Sequence, residues 1–260
     1  PTLLIYSRKL NQAGGFVFSS TQAVRTTRNQ AREFVLDLAR AHPLTFFPMV
    51  SLKRKYDSTT VSSDTEIVIE GYPRCANTYA VAAFLYAQDR PVRVARHTHA
   101  IAQLKRAFAR RLPVMLLIRA PEPAILSYVI REERVDLRIA LRRYRSYYSY
   151  VYGNLDRCVV CPFDLVTQDF GRCIEQVNKR FGTTFLPYKR SDQAQLEVFR
   201  AVDEMERIFA GGEISERKVA RPSEVRSNLQ SELRDTLYLN FSDDLRSLES
   251  LHARILAASP

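Results

Sequence analysis

The sequence predicts a single-domain α/β protein in which helices cover both faces of a central parallel sheet, a three-layer α/β/α arrangement. Short, continuously apolar strands alternate with helical segments between residues 66 and 180, a pattern typical of a parallel sheet that is buried on both faces. The chain has 260 residues, of which 46% are hydrophobic, enough for one large core. No internal repeat or second core is indicated.

The elements follow in order. Residues 1–20 are expected to be strand or loop, residues 21–41 a helix, and residues 42–66, with two prolines, a loop. We therefore divide the chain into an N-terminal extension packed on the core (1–65) and an α/β domain (66–260). The predicted strands are 67–72, 92–96, 114–119 and 158–166, and the predicted helices are 77–88, 100–111, 122–134, 136–153, a segment ending at 180, 190–210 and 228–257.

The helix at 136–153 is amphipathic. Its apolar residues recur at steps of three and four, which predicts a buried stripe. Its arginines lie largely elsewhere on the helix and are expected on a solvated face. The stripe is Leu137, Leu141, Tyr144, Tyr148, Val151 and Leu155, and the arginines are Arg138, Arg142, Arg143 and Arg145.

The formal net charge of +11 predicts an anionic partner, such as nucleic acid, an acidic polymer, a membrane surface or a phosphorylated cofactor. The longest apolar run, Ala80–Ala87, is far too short for a membrane span. The four scattered cysteines favour a reducing, hence cytoplasmic, compartment and lack the spacing of a metal site. Cys158 and Cys161 are expected to be buried and structural.

The stretch "EGYPRCANTY" at residues 70–79 indicates an anion site. The strand before it ends at Gly71 and a helix begins near Asn77, so backbone N–H groups at the helix start are free to bind an anion. Arg74 adds a guanidinium, but the second glycine and the lysine of a nucleotide-triphosphate loop are missing. Because a thiolate at a helix start is stabilised, Cys75 is expected to react with alkylating agents unless nucleotide protects it.

Two further strand ends carry polar residues. Arg119 ends one strand, with Ser127 in the helix that follows, and His97 and His99 come just after another. Because the carboxyl ends of parallel strands meet at one edge of a sheet, these residues are predicted to form one site with Arg74. Histidine suits a general base.

These motifs together resemble the sulfotransferases that use 3′-phosphoadenosine-5′-phosphosulfate (PAPS). "GYPRCANTY" resembles the family's 5′-phosphosulfate loop, with Ala76 in place of a glycine, and "IRAPEPAILSY" resembles its 3′-phosphate motif. "HTH" at 97–99 corresponds to Lys-Thr-His, "CPFDLV" to the Tyr-Glu-Asp-Leu strand and "VARPSEVRSNL" to a late phosphate-binding loop. The resemblance extends from about residue 66 to the end of the sequence.

The resemblance implies a sulfotransferase fold related to P-loop NTPases, with PAPS as donor, adenosine 3′,5′-bisphosphate (PAP) as product and no metal. His99 would be the general base, with His97 competing for the role, and Arg74 would act at the transferring group. Nucleotide-binding residues would be Arg74, Cys75, Ala76, Asn77, Thr78 and Tyr79 in the 5′-phosphate loop, and Arg119, Ser127 and Arg221 at the 3′-phosphate.

The acceptor, a hydroxyl or an amine, is not specified, and carbohydrates, phenols and peptides all stay open. One alternative is an atypical P-loop kinase, which needs a magnesium carboxylate for which Asp164 is the only candidate. The other is a non-catalytic basic module for nucleic acid or acidic glycan, which would bind with steep salt dependence. Under the sulfotransferase hypothesis neither nucleic acid nor a membrane is an expected partner.

Overall fold

The structure, a computed structural model, describes residues 20–52, 59–132, 134–210 and 224–259. Its strands are β1 (Ile67–Gly71), β2 (Val94–Arg96), β3 (Val114–Ile118) and β4 (Val159–Pro162). Its helices are α1 (Ser20–Ala41), α2 (Pro43–Ser51), α3 (Asn77–Ala87), α4 (Ile101–Ala109), α5 (Pro121–Arg131), α6 (Leu137–Tyr152), α7 (Phe163–Gln168), α8 (Phe170–Phe181), α9 (Asp192–Ala210) and α10 (Glu224–Ala258).

The four strands form one parallel sheet in the order β2-β1-β3-β4, which confirms the predicted fold class. β1 and β3 are buried along their whole length, as expected of central strands covered on both faces. The β1–β2 and β2–β3 connections cross the sheet in opposite directions. Because such connections are right-handed, α3 and α4 lie on opposite faces, with α8 and α9 packed on α3 and the remaining long helices in the layer of α4.

Gly71, the last residue of β1, is required by the close approach of β3. A Cβ atom at this position would lie 2.4 Å from the carbonyl oxygen and 2.9 Å from the Cβ of Leu117. Any larger residue would push the two central strands apart at the edge of the sheet where the predicted site lies.

The segment 42–66 is only partly the predicted loop, because Pro43–Ser51 forms α2. Pro43 stands in the first turn, where its missing N–H has no intrahelical partner to lose. Phe46, Phe47 and Val50 pack against the start of α4, and this burial stabilises the helix in spite of Pro48 in its interior. The boundary between residues 65 and 66 stays a prediction, and residues 1–19 lie outside the described part of the chain.

The stripe of α6 is buried as predicted, except that Leu155 lies beyond the helix and is partly exposed. The prediction that the arginines of this helix lie on a solvated face is wrong for Arg143, because its side chain is only 11% exposed. Its guanidinium donates to Glu33 at 2.7 Å and Asp37 at 2.6 Å on α1 and to the Tyr128 hydroxyl at 2.8 Å. The arginine therefore fastens α1 to the core.

Candidate functional site

The loop between β1 and α3 has the backbone shape of an anion cradle. Arg74 and Ala76 have φ angles of 70° and 64°, in the left-handed region, and turns of this kind bring successive N–H groups onto one concave side. Ala76 is the N-cap of α3 and supplies no side-chain hydrogen bond. The first-turn N–H groups at Asn77, Thr78 and Tyr79 are therefore left for an anion.

The two arginines predicted to share a ligand lie side by side. Arg74 Nε donates to Ser127 Oγ at 2.9 Å, and Arg119 Nη1 donates to the carbonyl oxygen of Arg74 at 3.2 Å. The Arg119 guanidinium carbon also lies 4.1 Å from the ring centre of Phe163. Three predicted site residues, from the β1 loop, the end of β3 and α5, thus meet at the carboxyl edge of the sheet.

Asn77 and Tyr79 place their side chains away from this cradle. The Asn77 side chain is buried and its Nδ2 donates to the carbonyl of Tyr72 at 2.9 Å, which braces the loop. The Tyr79 ring packs on Phe170 and Phe199. Only the main chain of these two residues is left to contact an anion.

The environment of Cys75 contradicts the prediction of a reactive thiol. Its thiol is fully buried, with Sγ 3.4 Å from the hydroxyl of Tyr148, and burial raises its pKa to about 11. The expectation of a stabilised, reactive thiolate is wrong, because the side chain lies in the core beneath the loop and not beside the helix N–H groups. Cys158, Cys161 and Cys173 are likewise buried and free.

The two histidines of "HTH" differ sharply in environment. His99 is 27% exposed, and its Nδ1 lies 2.7 Å from the carbonyl oxygen of Gly71. His97 is half-buried, but both of its ring nitrogens are shielded from solvent. Desolvation, with smaller contributions from the nearby charges of His99, Arg96 and Arg131, lowers its pKa to about 3. Of the two, His99 is better placed to meet a ligand, because the ring nitrogens of His97 are shielded from solvent.

Glu70 is a residue that sequence reasoning missed. Its carboxylate is fully buried at the end of β1. It accepts hydrogen bonds from Thr98 N and Oγ1, both at 2.8 Å, and from His99 N at 3.1 Å, with Gln103 Nε2 at 3.5 Å. The available signal was a single acidic residue in the otherwise apolar strand "IVIEG", since buried carboxylates need dedicated partners.

Two predicted residues, Arg221 and Asp164, remain. Arg221 lies outside the described residues. Asp164, the candidate magnesium ligand, is exposed in the first turn of α7. Across the described ranges, no group of three or more His, Cys, Asp or Glu side chains is arranged to hold a metal ion. No helix in those ranges has both the length and the apolar character to span a membrane.

Comparisons with known proteins give a limited result. No protein-family model matches the sequence, and no curated protein matches it. Among solved structures, the chain is similar to mouse sulfotransferase SULT7A1 complexed with PAP, at 13% identity and a TM-score of 0.39, over 76% of this chain and 92% of that one. At this TM-score the likeness adds no weight to a functional assignment, which depends on the site geometry.

Proposed function

We propose that this protein transfers a sulfuryl group from PAPS to a hydroxyl or amine acceptor. The observation that carries the proposal is the contact between Arg74, Ser127 and Arg119 at the carboxyl edge of the sheet, with His99 at the same edge. The sequence motifs that these residues occupy point to a 3′-phosphorylated adenosine donor. A donor with several anionic groups needs convergent cations and N–H groups, and this site offers both.

We assign the binding roles as the family resemblance implies. The N–H groups of the loop before α3 and of the first turn of α3 would hold the 5′-phosphate, and Arg119 with the Ser127 hydroxyl would hold the 3′-phosphate. Tyr144 supports this arrangement, because its hydroxyl donates to the carbonyl oxygen of Arg119 at 2.7 Å and so fixes the end of β3. Arg221 would close over the 3′-phosphate, as the resemblance implies.

In the transfer step, His99 would act as the general base and Arg74 would stabilise the leaving group. Because a carbonyl oxygen only accepts hydrogen bonds, neutral His99 carries its proton on Nδ1, which donates to Gly71, and its Nε2 has a free lone pair. Nε2 takes the proton of the acceptor as the acceptor oxygen or nitrogen bonds to sulfur. The bond from sulfur to the phosphate oxygen breaks, and the Arg74 guanidinium stabilises the charge left on that oxygen.

The base is tested by His99→Ala, with transfer of ³⁵S-sulfate from labelled PAPS to a panel of sugars, phenols and tyrosyl peptides. We expect turnover to fall by about 10²–10⁴-fold, while PAP affinity measured by calorimetry stays unchanged. His42→Ala, an exposed histidine at the start of α2, is the matched control and should retain full turnover. Near-normal transfer by His99→Ala would remove His99 as the base.

The nucleotide assignment is tested by Arg119→Ala. Loss of a charge-assisted hydrogen bond of about 1.5–3 kcal/mol should weaken PAP binding by roughly 10- to 150-fold and leave AMP binding unchanged. Arg200→Ala, an exposed arginine of α9, is the control. Equal weakening of PAP and AMP would instead indicate a general phosphate site, as in a kinase or a basic binding module.

A further inference from the structure

The turn that contains His99 has a strained backbone, and the buried carboxylate of Glu70 accepts hydrogen bonds from its main chain. His97 and His99 both have left-handed φ angles, 57° and 49°, which non-glycine residues keep only where the surroundings enforce them. The enforcing group is Glu70, whose oxygens accept hydrogen bonds from the main chain of the turn. We propose that Glu70 is a positioning residue, which sets the orientation and tautomer of His99 for the proton transfer of the proposed function.

The geometry requires both carboxylate oxygens. Oε1 accepts from the N–H and the hydroxyl of Thr98, and Oε2 accepts from the N–H of His99. The main-chain donors cannot turn away, so a side chain with one acceptor oxygen leaves one of them facing a non-acceptor. Glu70 and Gly71 are adjacent at the end of β1. The Glu70 carboxylate binds the main-chain N–H of His99, and the Gly71 carbonyl binds its ring, so one strand positions both.

Glu70 also stabilises the positive charge that His99 acquires when it takes a proton. Its fully buried Oε2 lies 3.7 Å from Nδ1 of His99. When Nε2 takes the acceptor proton, the imidazolium forms beside this carboxylate, and the opposite charge stabilises it.

The test is Glu70→Gln, which keeps the shape of the side chain and replaces one acceptor oxygen by an NH₂ donor. We expect kcat, calculated per PAP-binding site counted by calorimetry, to fall at least 100-fold, while the KM for PAPS and the affinity for PAP change less than twofold. Counting the sites corrects kcat for any unfolded fraction, so a general loss of folding would not produce this result. The matched control is Glu66→Gln, just before the same strand, where the carboxylate forms an exposed pair with Arg90. It should leave kcat unchanged.

A double variant separates positioning from an independent effect. If Glu70 acts through His99, adding Glu70→Gln to His99→Ala lowers kcat no further. A second large loss in the double variant, or wild-type kcat in Glu70→Gln alone, would overturn the proposal.

Histidine NMR tests the positioning without a measurement of turnover. In ¹⁵N-histidine spectra of the wild-type protein, assigned with His99→Ala, neutral His99 should carry its proton on Nδ1, and in Glu70→Gln the two tautomers should mix. A wild-type Nε2–H tautomer, or an unchanged spectrum in Glu70→Gln, would overturn the proposal. If the wild-type protein transferred no sulfuryl group, the proposed function would fail, and these spectra would still decide whether Glu70 orients His99.

Discussion

Replacing Arg143 by leucine should destabilise the protein by about 3 kcal/mol. The guanidinium is largely buried and donates to Glu33, Asp37 and the hydroxyl of Tyr128 at 2.6–2.8 Å. Breaking a buried ion pair from one side costs about 3–5 kcal/mol, because the remaining charge stays buried without its partner. We take the lower end of that range, since Asp37 keeps Arg142 and Glu33 keeps Arg32.

The assay is thermal unfolding followed by circular dichroism, where about 3 kcal/mol corresponds to a fall of roughly 6–12 °C in Tm for a chain of this size. The control is Arg145→Leu, two residues along the same helix, where the pair with Asp244 is about half exposed. Such a surface pair contributes less than about 1 kcal/mol. If the two variants melted at the same temperature, the reasoning that a buried ionic cluster fastens α1 to α6 would be refuted.

Three further predictions concern the site loop and its neighbours. Ala76→Gly should raise the free energy of unfolding by about 0.5–1 kcal/mol, because glycine tolerates the left-handed φ of 64°; a loss of stability in urea would contradict this. Cys75, with a pKa of about 11, has a thiolate fraction of only about one in a thousand at pH 8, so iodoacetamide should label it in urea but hardly at all in the native protein, and rapid native labelling would show that the thiol is accessible. Finally, below pH 6.5 the unfolded chain takes up a proton at His97 that the folded protein, with a pKa of about 3, refuses. Stability should therefore fall by up to about 1.4 kcal/mol per pH unit from pH 6.5 toward 3, and His97→Leu should flatten that fall in urea titrations at pH 7 and pH 5; equal slopes would contradict it.

The strands could be predicted because they depend on the local pattern of apolar residues. The convergence of the site residues could be predicted because parallel strands end at the same edge of a sheet. Apolar runs indicated all four strands of the sheet, although the last was predicted to reach residue 166 and instead gives way to α7 at Phe163. Since parallel strands end at one edge, polar residues just after those runs had to come together, as Arg74, Arg119 and His99 do.

The errors concern side chains whose environment is set by residues far away in the sequence. Arg143 was assigned to solvent because its partners on α1 lie more than 100 positions away. Cys75 was judged by its place at a helix start, whereas Tyr148 and the core decide its pKa. Glu70 went unnoticed because its partners come from a separate turn, 28 and 29 positions along the chain. Local sequence does not record such contacts.

The α2 helix was missed for a different reason. Two prolines in nine residues were read as loop signals, but Pro43 occupies the first turn, where proline is tolerated. The apolar burial of Phe46, Phe47 and Val50 then outweighed the effect of Pro48. Local propensity was overridden by packing.

The most direct test of the proposed function is a thermal-shift comparison of PAP, AMP and ATP with and without magnesium. A ligand that binds only the native state at 100 times its Kd stabilises by about 2.7 kcal/mol. We expect PAP without magnesium to raise Tm clearly more than either other nucleotide. A larger shift with magnesium-ATP, or equal shifts with PAP and AMP, would contradict a site built to bind both phosphates of one adenosine.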